Sequence, residues 1–232
     1  MEMALTLDDY PLAESSAASQ TPREAIWSAL RDALRAHDAP CTWFVVAGGV
    51  DERAAYFLDT VADIGNHTAQ HLALTDVAAH RFLRDVDNAD RKLARWLRAP
   101  KLFRYPYLRE GESHAKQQQV RNGLAALGYV NAPATIAPRD WEYDALPLSD
   151  ELVRRYITHI EEEARRACTL ARDIPHVLVL HVNALNATAL APLLAALTRE
   201  WRFVSLRDAL TDPVYRRAVP PSDIGVTLLE AI

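Results

Sequence analysis

Strand-like and helix-like segments alternate along almost the whole chain, and this alternation limits the fold more than any other feature. Residues 4–7 form a short apolar run. Thr21-Pro22-Arg23-Glu24 then has the form of a capping box with Pro at the first helical position. Ile26, Trp27, Leu30, Ala33 and Leu34 follow at helical spacing and predict a helix with one apolar face. Residues 41–47 read as a buried strand stopped by Gly48-Gly49, 51–62 as a short helix, and 63–66 as a short strand or turn. Phe82, Leu83, Val86, Leu93, Trp96 and Leu97 mark a long helix over about 76–98. A strand at 102–103, a helix at 114–127 and a strand at 129–136 come next. Ser149 caps a helix running to about Arg172, followed by a strand at 176–180, a helix at 187–200 and a strand at 203–206. The Pro-containing tail, 212–232, is expected to wrap the surface of a single domain spanning 1–232. Consecutive strand–helix units favour an α/β fold with a mainly parallel sheet of about seven strands. The sheet is either a β/α barrel or an open, doubly wound one.

Composition removes several function classes. The 232 residues carry a net charge of −5, with 50% hydrophobic and 25% charged residues, an ordinary globular balance. The mild negative charge opposes nucleic-acid and anionic-membrane partners. No run reaches the ~18 apolar residues of a membrane span. The N-terminus lacks the charged flank of a signal peptide. The expected compartment is the cytoplasm if the chain is complete, and the periplasm or exterior if a leader has been removed. Cys41 and Cys168 are too few for a disulfide scaffold and read as small buried hydrophobes. Arg91, Lys92, Arg95 and Arg98 alternate with acidic residues and read as a solvated helix face. No Gly-rich phosphate loop follows any strand, so nucleotide binding has no support. Nothing in the sequence sets the oligomeric state.

The polar residues of interest fall just after predicted strands. Asp8-Asp9 follows the first strand, and His67 and His71 follow the third. Arg104 follows 102–103, Asp140 lies shortly after Ile136, and His181 ends 176–180. In parallel β/α folds the carboxyl ends of the strands share one face, where sites are built. If 67–71 is helical, the two imidazoles project from one side and can share a metal ion. Asp8 or Asp9 would complete a set of two histidines and one carboxylate, leaving positions open for water and substrate. Zn²⁺ is the first choice, and Fe²⁺, Co²⁺ or Ni²⁺ also suit such a set. The second carboxylate can then take a proton from the attacking water, with Arg104 orienting it. His181 paired with Asp140 can act as a general acid. His37, His80, His114, His159 and His176 receive no role.

These residues, in this order, resemble the polysaccharide deacetylase family, also called carbohydrate esterase family 4 or the nodulation-protein-B homology domain. Thr6-Leu7-Asp8-Asp9 is similar to its T-F-D-D motif, and His67-Thr68-Ala69-Gln70-His71 to its H-[ST]-x-x-H. Arg104-Tyr105-Pro106-Tyr107 is similar to R-x-P-Y, Arg139-Asp140-Trp141 to the end of D-x-x-D-W, and Leu180-His181 to the last L-H motif. The resemblance implies a distorted (β/α) barrel and metal-dependent hydrolysis of an N-acetyl amide on a sugar. Carried over, Asp9, His67 and His71 bind the metal, and Asp8 is the base that activates water. His181 protonates the departing amine, Arg104 positions Asp8, and Asp140 tunes His181. The backbone N–H of Tyr107 joins in holding the oxyanion, and Trp141 and Val179 line the acetyl pocket. Four positions depart from the pattern. Leu7 replaces Phe, Tyr10 replaces Gly and is expected to narrow or reshape the rim, Ala137 replaces Asp, and Val182 stands where Asp is common. An amidase of the same superfamily, acting on a small non-sugar or cyclic amide, is the alternative reading.

Overall fold

The computed structural model describes residues 1–11, 21–171, 173–217 and 219–231. Its strands are β1 (Glu2–Tyr10), β2 (Cys41–Val45), β3 (Asp63–Asn66), β4 (Lys101–Phe103), β5 (Tyr129–Asn131), β6 (His176–His181) and β7 (Arg202–Val204). Its α-helices are α1 (Arg23–Ala36), α2 (Glu52–Leu58), α3 (Ala79–Leu93), α4 (His114–Ala126), α5 (Asp140–Asp144), α6 (Asp150–Leu170), α7 (Ala184–Leu197) and α8 (Leu206–Ala209). The expected helix end at Arg172 lies outside the described residues.

All strand pairs are parallel, in the order β5-β4-β3-β2-β1-β6. β6 runs along one edge of β1, while β7 takes Glu2–Ala4 on the other edge before β2 begins at Leu5. The predicted strand over 129–136 is broken, because Pro133 has no N–H to donate to a ladder. Its first part pairs with β4, and Ile136 bridges Leu178 of β6. One stretch of chain thus joins the two ends of the sheet, and the result is a distorted (β/α) barrel.

The alternation of β1 sorts the core. Met3, Leu5 and Leu7 point outward to a cluster with Ile26, Trp27 and Leu30 of α1 and Leu190, Leu193 and Leu194 of α7. Ala4 points inward with Phe44, Leu102, Val177 and Leu228. A third cluster joins Phe82 and Val86 of α3 to Val120 of α4 and Phe103 of β4. Truncating such a buried Leu to Ala typically costs about 2–5 kcal/mol. The anticipated capping box does not form. Pro22 takes the N-cap in an extended conformation (ψ 139°) and its carbonyl accepts the first helical bonds, so α1 starts one residue later. From Asp212 onward, Tyr215, Val219 and Leu228 pack into the inner cluster. No described helix is long and apolar enough to cross a membrane.

Candidate active site

Two consecutive residues of a regular strand point to opposite faces, yet Asp8 and Asp9 both reach the carboxyl-terminal mouth of the barrel. β1 and β2 are in register up to Leu7 and Trp43 and resume at Tyr10 and Val45. Asp8 and Asp9 therefore oppose Phe44 alone. This extra residue is a bulge, and Asp9 takes the left-handed conformation, φ 68°, that a bulge permits.

The segment 67–71 is not helical, contrary to the expectation. Its backbone is tied to neighbouring elements instead of to itself. Asn66 Oδ1 accepts from the Thr68 N–H (2.7 Å), and Asp85 Oδ2, on α3, accepts from Ala69 (3.1 Å) and Gln70 (2.9 Å). From the other side, Ala47 and Gly48 donate to the Thr68 and Ala69 carbonyls. Gly48 comes so close that a Cβ there would lie 2.3 Å from the Ala69 oxygen. Thr68 (φ 66°) and His71 (φ 55°) are left-handed as a result, at roughly 1–2 kcal/mol each.

The loop still brings the imidazoles together. His67 Nε2 and His71 Nε2 are 3.3 Å apart, and Asp9 Oδ1 lies 3.4 and 3.0 Å from them. His67 Nδ1 is 2.9 Å from the Arg104 carbonyl. An N–H donated there leaves the Nε2 lone pair facing the cluster. Asp9 Oδ1 is buried and, among the described residues, accepts no hydrogen bond of good geometry. Burial raises the Asp9 pKa, but His67 and His71 outweigh it and hold the carboxyl well below its usual range. Three electron-rich atoms converging in this way fit a cation. Bonds of ~2.0–2.1 Å to a tetrahedral ion place ligand atoms about 3.3 Å apart, close to the observed spacings. Asp9, His67 and His71 could thus hold a divalent metal.

Asp8 sits beside this cluster, 3% exposed, and its Oδ1 accepts from Arg104 Nη1 at 2.8 Å. Its Oδ2 is 3.9 Å from His67 Nε2. Arg104 is fully buried and makes two further bonds, Nε to the Ala132 carbonyl (2.9 Å) and Nη1 to Thr6 Oγ1 (2.5 Å). Its guanidinium lies over the Phe44 ring, 4.3 Å from the centroid. That ring fills the space over β3 at Gly65, where a Cβ would lie 2.3 Å from it.

On the neighbouring strand, His181 is the register partner of Asp8. Its Nδ1 is 2.6 Å from Asp140 Oδ1, and its backbone N–H donates to Asp140 Oδ2 (2.8 Å). Asp140 is fully buried and also accepts from Asn183 Nδ2 (3.1 Å) and Asn186 Nδ2 (2.5 Å). Tyr156 donates its hydroxyl to Asn186 Oδ1 (2.7 Å), which turns the amide nitrogen toward Asp140. Burial lowers the His181 pKa, but the Asp140 carboxylate, aided by Asp9 and Asp8, overcomes it and pushes the imidazole up to about 10. Burial raises the Asp140 pKa, and the His181 charge and the donors around the carboxylate bring it below its usual value.

Of the other expected residues, Tyr107 is left-handed (φ 59°, ψ 14°), and its ring centroid is 4.6 Å from that of His71. Trp141 is 49% exposed and meets His181 edge-on at 5.2 Å. Val179 is buried two residues before His181, on the same face of β6. Tyr10 neither narrows nor reshapes the rim, because it does not reach it. Its ring is buried among Trp27, Trp43 and Phe57, and its hydroxyl donates to the Ala54 carbonyl, because the bulge turns it outward. Val182 is likewise buried. Sequence reasoning missed Asn66, Asp85, Asn183, Asn186 and Tyr156. Asp85 did carry a signal, an acidic residue on the apolar face of α3 beside Phe82, Val86 and Ala89.

Polar groups gathered at the carboxyl ends of the strands of a β/α barrel are the placement of an enzyme active site. Residues 2–132, more than half of the chain, match the family model for polysaccharide deacetylase. The chain belongs to the polysaccharide deacetylase family. Among solved structures it is similar to the polysaccharide deacetylase Bc1974 from Bacillus cereus, with TM-score 0.65 and 19% identity over 88% of this chain and 91% of that one. It is also similar to the peptidoglycan deacetylase PdaC from Bacillus subtilis, with TM-score 0.63 and 18% identity over 90% and 91%. BA3943 from Bacillus anthracis, a CE4 family pseudoenzyme, gives TM-score 0.65 and 13% identity over 90% of this chain and 65% of that one. At these identities the likeness concerns the fold. No curated protein matches the chain at a significant level.

Proposed function

We propose that the protein is a metal-dependent deacetylase that removes N-acetyl groups from an amino sugar, in a chitin-type oligosaccharide or a peptidoglycan-like glycan. The fold alone does not carry this reading, since a pseudoenzyme shares it. The observation that carries it is the cluster of Asp9, His67 and His71, whose donor atoms all lie within 4.8 Å of one another. Asp8 stands beside that cluster, and His181 is its partner on the next strand.

Asp9, His67 and His71 would hold zinc, and the same donors also suit cobalt, nickel or iron. When bound, such an ion polarises the amide carbonyl and makes water more acidic. Asp8 takes the proton of the attacking water through Oδ2, because Arg104 occupies Oδ1. His181 gives its Nε2 proton to the amine nitrogen as the C–N bond breaks. Asp140 holds Nδ1 and stabilises the imidazolium before that transfer. The water oxygen ends in acetate. The proton left on Asp8 and the one lost by His181 balance over a turnover. The backbone N–H of Tyr107 donates to the developing oxyanion, a contribution on the order of 3–4 kcal/mol. Trp141 and Val179 border the acetyl methyl.

Chelator-stripped protein, refilled with zinc, cobalt, nickel or iron, is expected to release acetate from N-acetylated chito-oligosaccharides or peptidoglycan fragments. No metal-dependent release from a broad panel of acetylated sugars would overturn the proposal. Turnover of cyclic imides or ureides in that case would move the same site to small amides.

A further inference from the structure

The turn that carries Tyr107 is strained twice, and the two backbone hydrogen bonds that close it do not require the strain. Tyr107 (φ 59°) and Leu108 (φ 54°) are consecutive left-handed residues without being glycine. The Leu108 N–H donates to the Tyr105 carbonyl (3.1 Å) and the Arg109 N–H to the Pro106 carbonyl (3.2 Å). Bonds of that span form equally well in right-handed turns, where most residues fit without cost. A strained backbone persists only where its surroundings over-determine it.

The surroundings here are the C-terminal segment. Gln117 Nε2 of α4 donates to the Val219 carbonyl (3.1 Å), and the Ser222 N–H donates to the Gly111 carbonyl (3.1 Å). Further on, the Leu228 N–H donates to the Ala134 carbonyl (2.7 Å), and the Leu228 side chain is fully buried. Between these anchors Gly225 presses on the turn. A Cβ at Gly225 would lie 1.8 Å from the Tyr107 oxygen, 3.0 Å from its carbonyl carbon and 3.5 Å from Leu108 Cβ. The obstacle is backbone and cannot swing aside. Glycine is needed here for space, because φ at 225 is not in the left-handed range.

From this contact we infer that Gly225 is a positioning residue for the proposed reaction, and that the segment around it is a strap holding the Tyr107 turn against the metal side of the site. The inference rests on the functional reading above for its catalytic consequence alone. Pro106 limits rotation on one side of Tyr107 and the strap blocks the peptide on the other. Together they fix the Tyr107 N–H and keep its ring beside His71. The matched family region ends at residue 132, so the strap is a contribution of the chain beyond it.

Two measurements test the strap. In the unaltered protein, the amides of Leu108, Arg109, Ser222 and Leu228 should exchange with solvent as one group as denaturant is raised. In Gly225→Ala, exchange at Leu108 and Arg109 should quicken by about tenfold or more, with α7 and β6 unchanged. Acetate release from an N-acetylated chito-oligosaccharide should then fall roughly tenfold in kcat, with KM nearly constant. Leu108 and Arg109 opening independently of Ser222 and Leu228 would overturn the strap, whether or not the variant folds. Unchanged exchange in a folded Gly225→Ala protein would do the same. If the unaltered protein releases no acetate, the functional reading fails while the exchange data still decide the strap.

Discussion

Asp9, Thr68, His71, Tyr107 and Leu108, on one side of the candidate site, have left-handed backbones, whereas His181 ends a regular strand and Asn183 and Asn186 open a regular helix. Of the seven described non-glycine residues with positive φ, only Asp38 lies away from the site, and Arg139 alone belongs to the side of His181. The first half is placed by irregular backbone and leaves Asp9 Oδ1 without a hydrogen bond of good geometry among the described residues. The second half is placed by side chains, with Asp140 accepting from three residues. Strain of this kind collects where function requires it. The side with Asp9, His67 and His71 is therefore the half that a bound metal should tighten. The His181 side is built to stand ready without one.

The largest effects should separate the halves outright. His67→Ala or His71→Ala is expected to lose both bound metal and nearly all acetate release, read by metal analysis after dialysis and by acetate assay. Asp8→Asn should keep metal and stop turnover. His181→Ala should also keep metal but lower kcat by roughly 10²–10⁴-fold. Loss of metal from His181→Ala would show that the halves are not independent.

Asp140→Asn probes the second half through pH. The His181 pKa is raised to about 10, so its proton is present at neutral pH and is lost as pH rises through that value. Removing the carboxylate takes away the largest influence that raises the pKa and leaves burial, which lowers it, opposed only by the weaker pull of Asp9 and Asp8. The alkaline limb of the rate profile should move down by more than a unit. An unmoved limb would mean that His181 is not the acid.

Smaller effects should come from the supports. Asp85→Ala removes the acceptor for two N–H groups of the histidine loop and should weaken metal binding by about 10–100-fold, as loss of an outer support typically does. Tyr156→Phe leaves Asn186 Oδ1 without its donor and should cost roughly 1–3 kcal/mol of stability in a denaturant melt, with metal affinity unchanged. Chelation should speed amide exchange over residues 66–71 and leave residues 181–186 alone. Equal responses in the two segments would erase the distinction between the halves.

The regular half of this arrangement was legible in the sequence and the irregular half only in part. Periodicity placed most strands and helices, and the strand-end rule gathered Asp8, Arg104, Asp140 and His181 correctly in space. It did not show that a bulge turns Asp9 into the site and Tyr10 out of it, because one inserted residue leaves no mark on the hydrophobic pattern. The spacing of His67 and His71 suggested a helix, but Asn66, Gly48 and Asp85 take the backbone groups a helix would use, and those contacts come from distant elements. Asn183 and Asn186 precede the helix expected at 187–200, and nothing local reveals that they donate to Asp140.

The packing of Phe44 against Gly65 has a consequence for how this barrel can change. The ring occupies the volume that any side chain at residue 65 would need, and the Arg104 guanidinium lies over that same ring. Enlarging residue 65 therefore requires shrinking residue 44, and that withdraws the support beneath the guanidinium that steers Asp8. A library that varies either position alone should return the starting residue. Viable alternatives require changes at both positions at once, together with a new arrangement for the arginine.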